Sequence, residues 1–271
     1  MPKNRVLRTD PKLEFGLSFE DVSWKSADGT KIRGWYIPPS NSTFHGVVVL
    51  CHGIDGNRTA HLSTANWLSR SGYATLLFDF RGRGESDRTN CTMGLRETED
   101  LLGGIDFVSG KQELREQRIC VLGHSMGGAV AILAAARDKR ISGVISESPF
   151  SQLDRAIDNH FRKIFGPVSP ILSFPVRLIG ERWIGASSRD ISPITVIGQV
   201  GPRPILLIED ELDQICPPSE TTSLIKMAHE PKEIWKVPGA GHIEAKVIEP
   251  EEYQRRILGF LEHNISRAKA H

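Results

Sequence analysis

A strand that turns into a helix at a serine is the feature that most constrains this chain. The apolar run 119–122 leads into Gly123-His124-Ser125-Met126-Gly127, and an alanine-rich run over 129–136 follows. Glycines two residues before and after the serine permit a crowded turn that pushes its hydroxyl out at the edge of a sheet. Because Gly-X-Ser-X-Gly also arises by chance, the strand-turn-helix context is what makes the motif informative.

The rest of the chain repeats this alternation of apolar runs and helical patterns. Before the first of these alternating strands, the segments 19–24 and 32–37 flank the turn signal Asp28-Gly29 and predict an antiparallel hairpin. Strands that are apolar on both faces and separated by helices indicate a parallel sheet. We therefore predict an α/β fold with a mostly parallel central sheet, an N-terminal antiparallel hairpin and helices on both faces. The further predicted strands are 47–50, 74–78, 119–122, 141–145, 205–208 and 234–237, and the predicted helices are 59–71, 96–109, 126–137, 220–229 and 251–268.

One segment interrupts this alternation of predicted strands and helices. A chain of 271 residues is long enough for one α/β domain, which we expect to span 1–271. Within it, residues 149–201 carry two helical patterns rich in Phe and Ile, split by Gly166-Pro167, and we interpret them as a small helical, cap-like insertion. Its aromatic residues are expected to pack rather than to form a pocket, with an acyl site lined by the insertion as the alternative: Phe150, Phe161, Phe165, Phe174 and Trp183.

The composition of the chain indicates neither nucleic acid nor an anionic membrane as a partner. With 34 basic and 33 acidic residues the net charge is +1, which gives no field to attract nucleic acid or an anionic membrane.

The four cysteines form no disulfide framework and are expected to be free thiols in a reducing compartment. No run approaches the roughly 18 apolar residues of a membrane span, and the N-terminus lacks a signal-peptide core. We expect a cytoplasmic protein of unknown oligomeric state or, alternatively, the soluble part of a membrane-anchored one.

Three reactive side chains follow predicted strands. Ser125 follows the third predicted parallel strand, Asp213 stands five residues after Ile208, and His242 stands five residues after Val237. Ligands of open α/β sheets bind at the carboxyl ends of the strands, so these side chains are expected at one edge. An unactivated serine needs an adjacent base, which His242 supplies, while Asp213 holds the imidazole in the required tautomer. This arrangement predicts acyl transfer through a covalent intermediate.

The chain resembles serine hydrolases of the α/β-hydrolase fold, in particular small bacterial esterase-like members with a compact cap. The resemblance covers 47–242 and rests on motifs at the strand ends. It implies that the backbone N–H groups of Ile54 and Met126 form the oxyanion hole. The matching motifs are His52-Gly53, Asp79-Phe80-Arg81-Gly82-Arg83-Gly84-Glu85-Ser86, the serine turn, Asp213-Gln214-Ile215-Cys216-Pro217 and Gly239-Ala240-Gly241-His242.

Some of these assignments have competitors. Asp210 is the alternative acid, because acidic residues crowd the loop after its strand and geometry decides which one reaches the histidine. His52 is expected to brace the oxyanion loop, and the side chain of His124 to point away from the site. Glu99 and Asp100 are expected to charge the first turn of a helix, where negative side chains are favoured.

The sequence thus predicts a hydrolase of carboxylic esters with short to medium acyl chains. We expect no cofactor, and no metal, because no His, Cys, Asp or Glu cluster with ligand spacing stands apart from the strand-end residues. Thioesterase, peptidase and acyltransferase reactions use the same residues, and the fold does not choose among them. A catalytically silent relative that binds a ligand or a partner is the alternative of another class.

Overall fold

The fold is organised around one sheet. In the computed structural model, which describes residues 5–115 and 117–266, eight strands form this sheet. Each predicted strand is present, and most extend one or two residues further because the neighbouring strands continue the hydrogen-bond ladder. The strands are β1 Glu20–Lys25, β2 Lys31–Ile37, β3 Gly46–Cys51, β4 Tyr73–Asp79, β5 Ile119–His124, β6 Ile141–Glu147, β7 Ile205–Asp210 and β8 Lys232–Val237.

The strand order is β1-β2-β4-β3-β5-β6-β7-β8. β1 and β2 form the predicted hairpin, and β2 also pairs antiparallel with β4. From β4 to β8 every pair is parallel, so the carboxyl ends of these strands lie along one edge. The structure confirms the predicted fold class.

Helices cover both faces of the sheet. The predicted helix 126–137 has the expected bounds, whereas the one predicted from residue 59 begins with a 3-10 turn over Arg58–His61. The last helix ends at Asn264, and residues 267 and 268 of its predicted span lie outside the described residues. The α-helices are α1 Pro11–Phe15, α2 Leu62–Arg70, α3 Leu95–Gly110, α4 Met126–Arg137, α5 Leu153–Phe165, α6 Ser169–Ile184, α7 Pro193–Val196, α8 Pro218–Met227, α9 Ala245–Ile248 and α10 Pro250–Asn264.

The central strands bury both of their faces. In β3, Val47 and Val49 pack into the apolar layer under α3 and α4, while Val48 and Leu50 pack into the opposite layer under α2 and α10. Successive side chains of a strand point to opposite faces, so an uninterrupted apolar run is what a doubly covered strand requires. In the described part of the chain, no helix is both long and apolar enough to cross a bilayer.

A buried ion pair ties the hairpin to α3. The guanidinium of Arg81, after β4, donates to Asp100 of α3 at 2.7 Å and to Asp28 of the hairpin turn at 2.7 Å. The side chains of Arg81 and Asp100 are 1% and 0% exposed. The expectation that Asp100 charges the first helical turn is therefore wrong, because α3 begins at Leu95 and Glu97 is the acidic residue of that turn.

Replacing Asp100 with asparagine keeps the shape of the side chain but removes the charge opposite Arg81. Loss of one partner from a buried pair is expected to lower the free energy of unfolding by about 3 kcal/mol. Asp106→Asn is the matched control, because the Asp106–Arg140 pair is 68% and 46% exposed. The control should cost less than about 1 kcal/mol. Equal losses in urea denaturation would contradict a stabilising role for the buried pair.

Candidate active site

Ser125 lies at the strained turn between β5 and α4. Its backbone has φ 53° and ψ −118°, a region that L-residues rarely occupy. A Cβ added at Gly123 would overlap the carbonyl of Gly127, and one added at Gly127 would overlap the carbonyl of Cys51. Only glycine fits at either position. Gly128, which the sequence did not point to, is also crowded, because a Cβ there would overlap the Ser146 hydroxyl and that side chain would have to shift.

The structure brings together the three side chains that the sequence predicted at the strand ends. His242 Nε2 lies 2.8 Å from Ser125 Oγ, and His242 Nδ1 lies 2.7 Å from Asp213 Oδ2. A proton on Nδ1 is donated to Asp213 and leaves Nε2 to accept the hydroxyl proton of Ser125. This hydrogen-bonded line has the geometry of an activated nucleophile.

The carboxylate of Asp213 is held by its own loop. Its second oxygen, Oδ1, accepts the backbone N–H groups of Ile215 at 2.8 Å and Cys216 at 2.9 Å. The side chain is 0% exposed, whereas that of His242 is 18% exposed. Asp213 is thus fixed and shielded from water, while the imidazole remains accessible to a substrate.

Asp210, the alternative acid, forms its hydrogen bonds with residues other than His242. Its Oδ2 accepts the hydroxyl of Ser148 at 2.6 Å and the backbone N–H of Ile243 at 3.0 Å. Ile243 has φ 56°, so Asp210 braces a strained residue directly after His242. Burial, together with the charge of Glu147, raises the pKa of Asp210 to about 7. Its Oδ1 is buried and has no hydrogen-bond partner in the described residues.

The two backbone groups predicted to bind an oxyanion border the same cavity as Ser125. Met126 is the first residue of α4, and the N–H groups of a first helical turn have no acceptor within the helix. The loop that carries Ile54 runs close to the serine, because the Cβ position of Gly53 is 3.5 Å from Ser125 Cβ. Both residues therefore lie close to Ser125 at the wall of this cavity.

His52 and His124 have the placements expected for structural residues. Burial lowers the pKa of His52, whose neutral ring donates from Nδ1 to the Gly53 carbonyl at 2.6 Å and accepts the Phe80 N–H at Nε2. His124 Nε2 lies 2.9 Å from the hydroxyl of Tyr253 and so faces away from the cavity. His52 thus fixes the loop before Ile54.

A cavity of about 400 Å³ opens beside Ser125. Apolar side chains form most of its wall, and the polar residues that line it besides Ser125 come from residues 149–201 and from the loop after β3. Phe150 and Phe161 line it, which agrees with the alternative that the insertion lines an acyl site, and Phe150 also packs in the core. The main apolar contributors are Met126, Phe150, Leu153, Ile157, Ile191 and Ile215, and the polar ones include Asp55, His160, Arg177, Glu181 and Ser188.

Comparison with known proteins agrees with this fold. Residues 42–195 match the family described as Hydrolase_4, serine aminopeptidase S33. Because the match covers more than half of the chain, the protein belongs to this family of α/β-hydrolases and is a hydrolase.

Relatives extend over most of the chain. The uncharacterized protein YfhR of Escherichia coli K12 is 28% identical over 249 residues, which cover 90% of this chain and 78% of YfhR. The uncharacterized protein Rv2307c of Mycobacterium tuberculosis H37Rv is 29% identical over 242 residues, or 89% and 78% of the two chains. The solved structure of the Pyrococcus furiosus esterase Pf2001 is similar with a TM-score of 0.82, 26% identity and coverage of 97% of each chain.

The raised pKa of Asp210 predicts how stability changes with pH. An unfolded aspartate titrates near pH 4, so the folded state holds this proton up to a higher pH than the unfolded chain does. The contribution of Asp210 to folding therefore falls as pH rises from about 4 to about 7. Asp210→Asn keeps an acceptor for Ile243 and Ser148 and removes the titration.

We expect the stability of wild type relative to Asp210→Asn to decrease between about pH 5 and about pH 8, as measured by urea denaturation at both values. The same difference at both pH values would show that Asp210 does not titrate in this range.

Proposed function

We propose that this protein is a serine esterase that hydrolyses carboxylic esters through an acyl-enzyme on Ser125. The observation that carries the proposal is the hydrogen-bonded line Ser125–His242–Asp213 beside an apolar cavity. A catalytically silent binder has no need for a strained serine in contact with a fixed base. The hydroxyl proton of Ser125 passes to His242, and Asp213 orients the imidazole and stabilises its charged form.

In the first half-reaction, His242 Nε2 accepts the hydroxyl proton while Ser125 Oγ attacks the ester carbonyl. The carbonyl oxygen becomes an oxyanion that accepts the N–H groups of Ile54 and Met126. One such donor is worth about 3 to 4 kcal/mol of barrier. The intermediate then collapses, His242 protonates the departing alcohol oxygen, and the acyl group remains on Ser125.

In the second half-reaction, water takes the place of the alcohol. His242 accepts a proton from this water, whose oxygen attacks the acyl carbonyl, and the same two N–H groups bind the new oxyanion. Collapse returns the proton to Ser125 Oγ and releases the carboxylic acid. Asp213 stabilises the imidazolium in both halves without itself taking the proton.

The cavity supports an acyl group of short to medium length. Its volume of about 400 Å³ is near the lower end of the range for small-molecule sites, roughly 300–1,000 Å³. We propose that residues 149–201 act as a cap, because α5 and α6 supply the outer wall of this cavity.

The first test compares wild type with Ser125→Ala on p-nitrophenyl esters from acetate to palmitate. We expect wild type to prefer short or medium chains, and Ser125→Ala to fold normally while losing turnover by a factor of about a thousand or more. Near-wild-type turnover in the variant would overturn the assignment of Ser125. Wild-type turnover of a leucine p-nitroanilide or an acyl thioester, but of no ester, would instead favour the peptidase or thioesterase reaction.

The second test narrows the cavity. Ala156 of α5 lines the cavity wall and is 9% exposed. Ala156→Phe fills part of the space, so we expect kcat/KM for octanoate to fall about tenfold relative to that for acetate. The acetate reaction serves as the internal control for folding. An unchanged ratio of the two values would show that the acyl chain binds elsewhere.

A further inference from the structure

Four polar side chains of α6 face inward. Ser169, Ser173, Arg177 and Glu181 recur every fourth residue and therefore share one face of the helix. Ser169 and Ser173 are each only 3% exposed. Arg177 and Glu181 line the cavity beside Ser125, and Glu181 accepts the N–H of Ser188 at 2.9 Å. The polar stripe of this helix thus faces the protein.

The outer side of α6 is apolar and exposed to solvent. Ile171, Ile179 and Trp183 are 75%, 70% and 73% exposed. Ten of the seventeen exposed large apolar side chains in the described residues lie between 164 and 183. Val176 also lines the cavity beside Ser125, and we call the other nine the cap face. So many exposed apolar side chains in one short segment mark a surface that binds something. The cap face comprises Ile164, Phe165, Val168, Ile171, Leu172, Phe174, Leu178, Ile179 and Trp183.

The segment that carries the cap face is basic. Residues 161–184 contain four basic side chains and one acid, Glu181, which gives this segment a net charge of +3 within a chain of net charge +1. Arg162, Lys163 and Arg182 are exposed and form no ion pair within the described part of the chain. The near-zero charge of the whole chain therefore conceals a local excess of positive charge.

Two occupants fit an apolar face, a second copy of the chain and a lipid surface. A symmetric dimer places the same patch on both sides of the interface, so the cations of one copy would face those of the other. The one acid of the segment is turned inward and bonded to Ser188, so it cannot neutralise them. Anionic lipid headgroups supply the missing charge, and apolar side chains flanked by Arg and Lys are the pattern of interfacial helices.

We infer that the cap face docks on the surface of an anionic lipid bilayer. Its apolar side chains enter the boundary between headgroups and acyl chains, and Arg162, Lys163 and Arg182 lie at the headgroups. Docking itself is independent of catalysis. A consequence that rests on the proposed function is that substrate esters reach Ser125 from the lipid, because α6 carries the cap face and also lines the cavity beside Ser125.

Vesicle flotation tests the inference directly. We expect wild type to float with vesicles of phosphatidylcholine and phosphatidylglycerol, less with phosphatidylcholine alone, and less again at high salt. The triple variant Ile171→Ser/Ile179→Ser/Trp183→Ser should bind about tenfold more weakly or worse. The matched control is Leu13→Ser/Met227→Ser/Val247→Ser, whose sites lie outside the cap face at 79%, 54% and 73% exposure. The control should bind like wild type.

Further variants separate the possible explanations. Arg162→Glu/Lys163→Glu should lose the preference for anionic vesicles. Ser125→Ala should float like wild type, so that failure of the esterase proposal leaves docking testable. The inference is overturned if wild type does not float, or if the triple variant floats equally well. A wild-type dimer in analytical ultracentrifugation that the triple variant abolishes, without vesicle binding, would assign the face to a second copy.

Discussion

The turn at Ser125 is the constraint on which the rest of the structure depends. Its positive φ of 53° costs of order 1–3 kcal/mol and persists only where the surroundings hold it. The Ser125 N–H is fixed by the Glu147 carbonyl at 2.8 Å, and its carbonyl accepts the N–H of Ala129 at 3.0 Å. Nine of the twelve residues of α4 are buried, so the packing of this helix offsets the strain. The same contacts aim the hydroxyl at His242.

Two buried acids hold the loop that carries the histidine. Asp210 accepts the N–H of Ile243, and Glu147 accepts the N–H of Ala245 at 3.2 Å. These bonds fix the backbone directly after His242 and again three residues after it. Neither acid contacts the imidazole, so the loop is positioned by groups that the proposed reaction does not use. Because burial and the charge of Glu147 raise its pKa to about 7, Asp210 holds its proton to a higher pH than an exposed aspartate does, which limits the negative charge in this buried region.

Much of the fold and of the candidate site could be predicted from the sequence, because doubly buried strands leave long apolar runs and the ends of parallel strands meet at one edge. That reasoning predicted that Ser125, Asp213 and His242 lie together at one edge of the sheet. It failed for Asp100, whose partner Arg81 is close only in space. It also failed for the outer aromatics of α6, because a hydrophobic pattern identifies an apolar face and not what covers it: Phe174 and Trp183 are 55% and 73% exposed.

An activated nucleophile at Ser125 can be detected by labelling with a fluorophosphonate. This reagent reacts with activated serines and requires no knowledge of the substrate. We expect wild type to be labelled on the peptide that contains Ser125, and Ser125→Ala to remain unlabelled although it is folded. A wild-type protein that stays unlabelled, or a label mapped to another residue, would show that Ser125 is not the activated nucleophile.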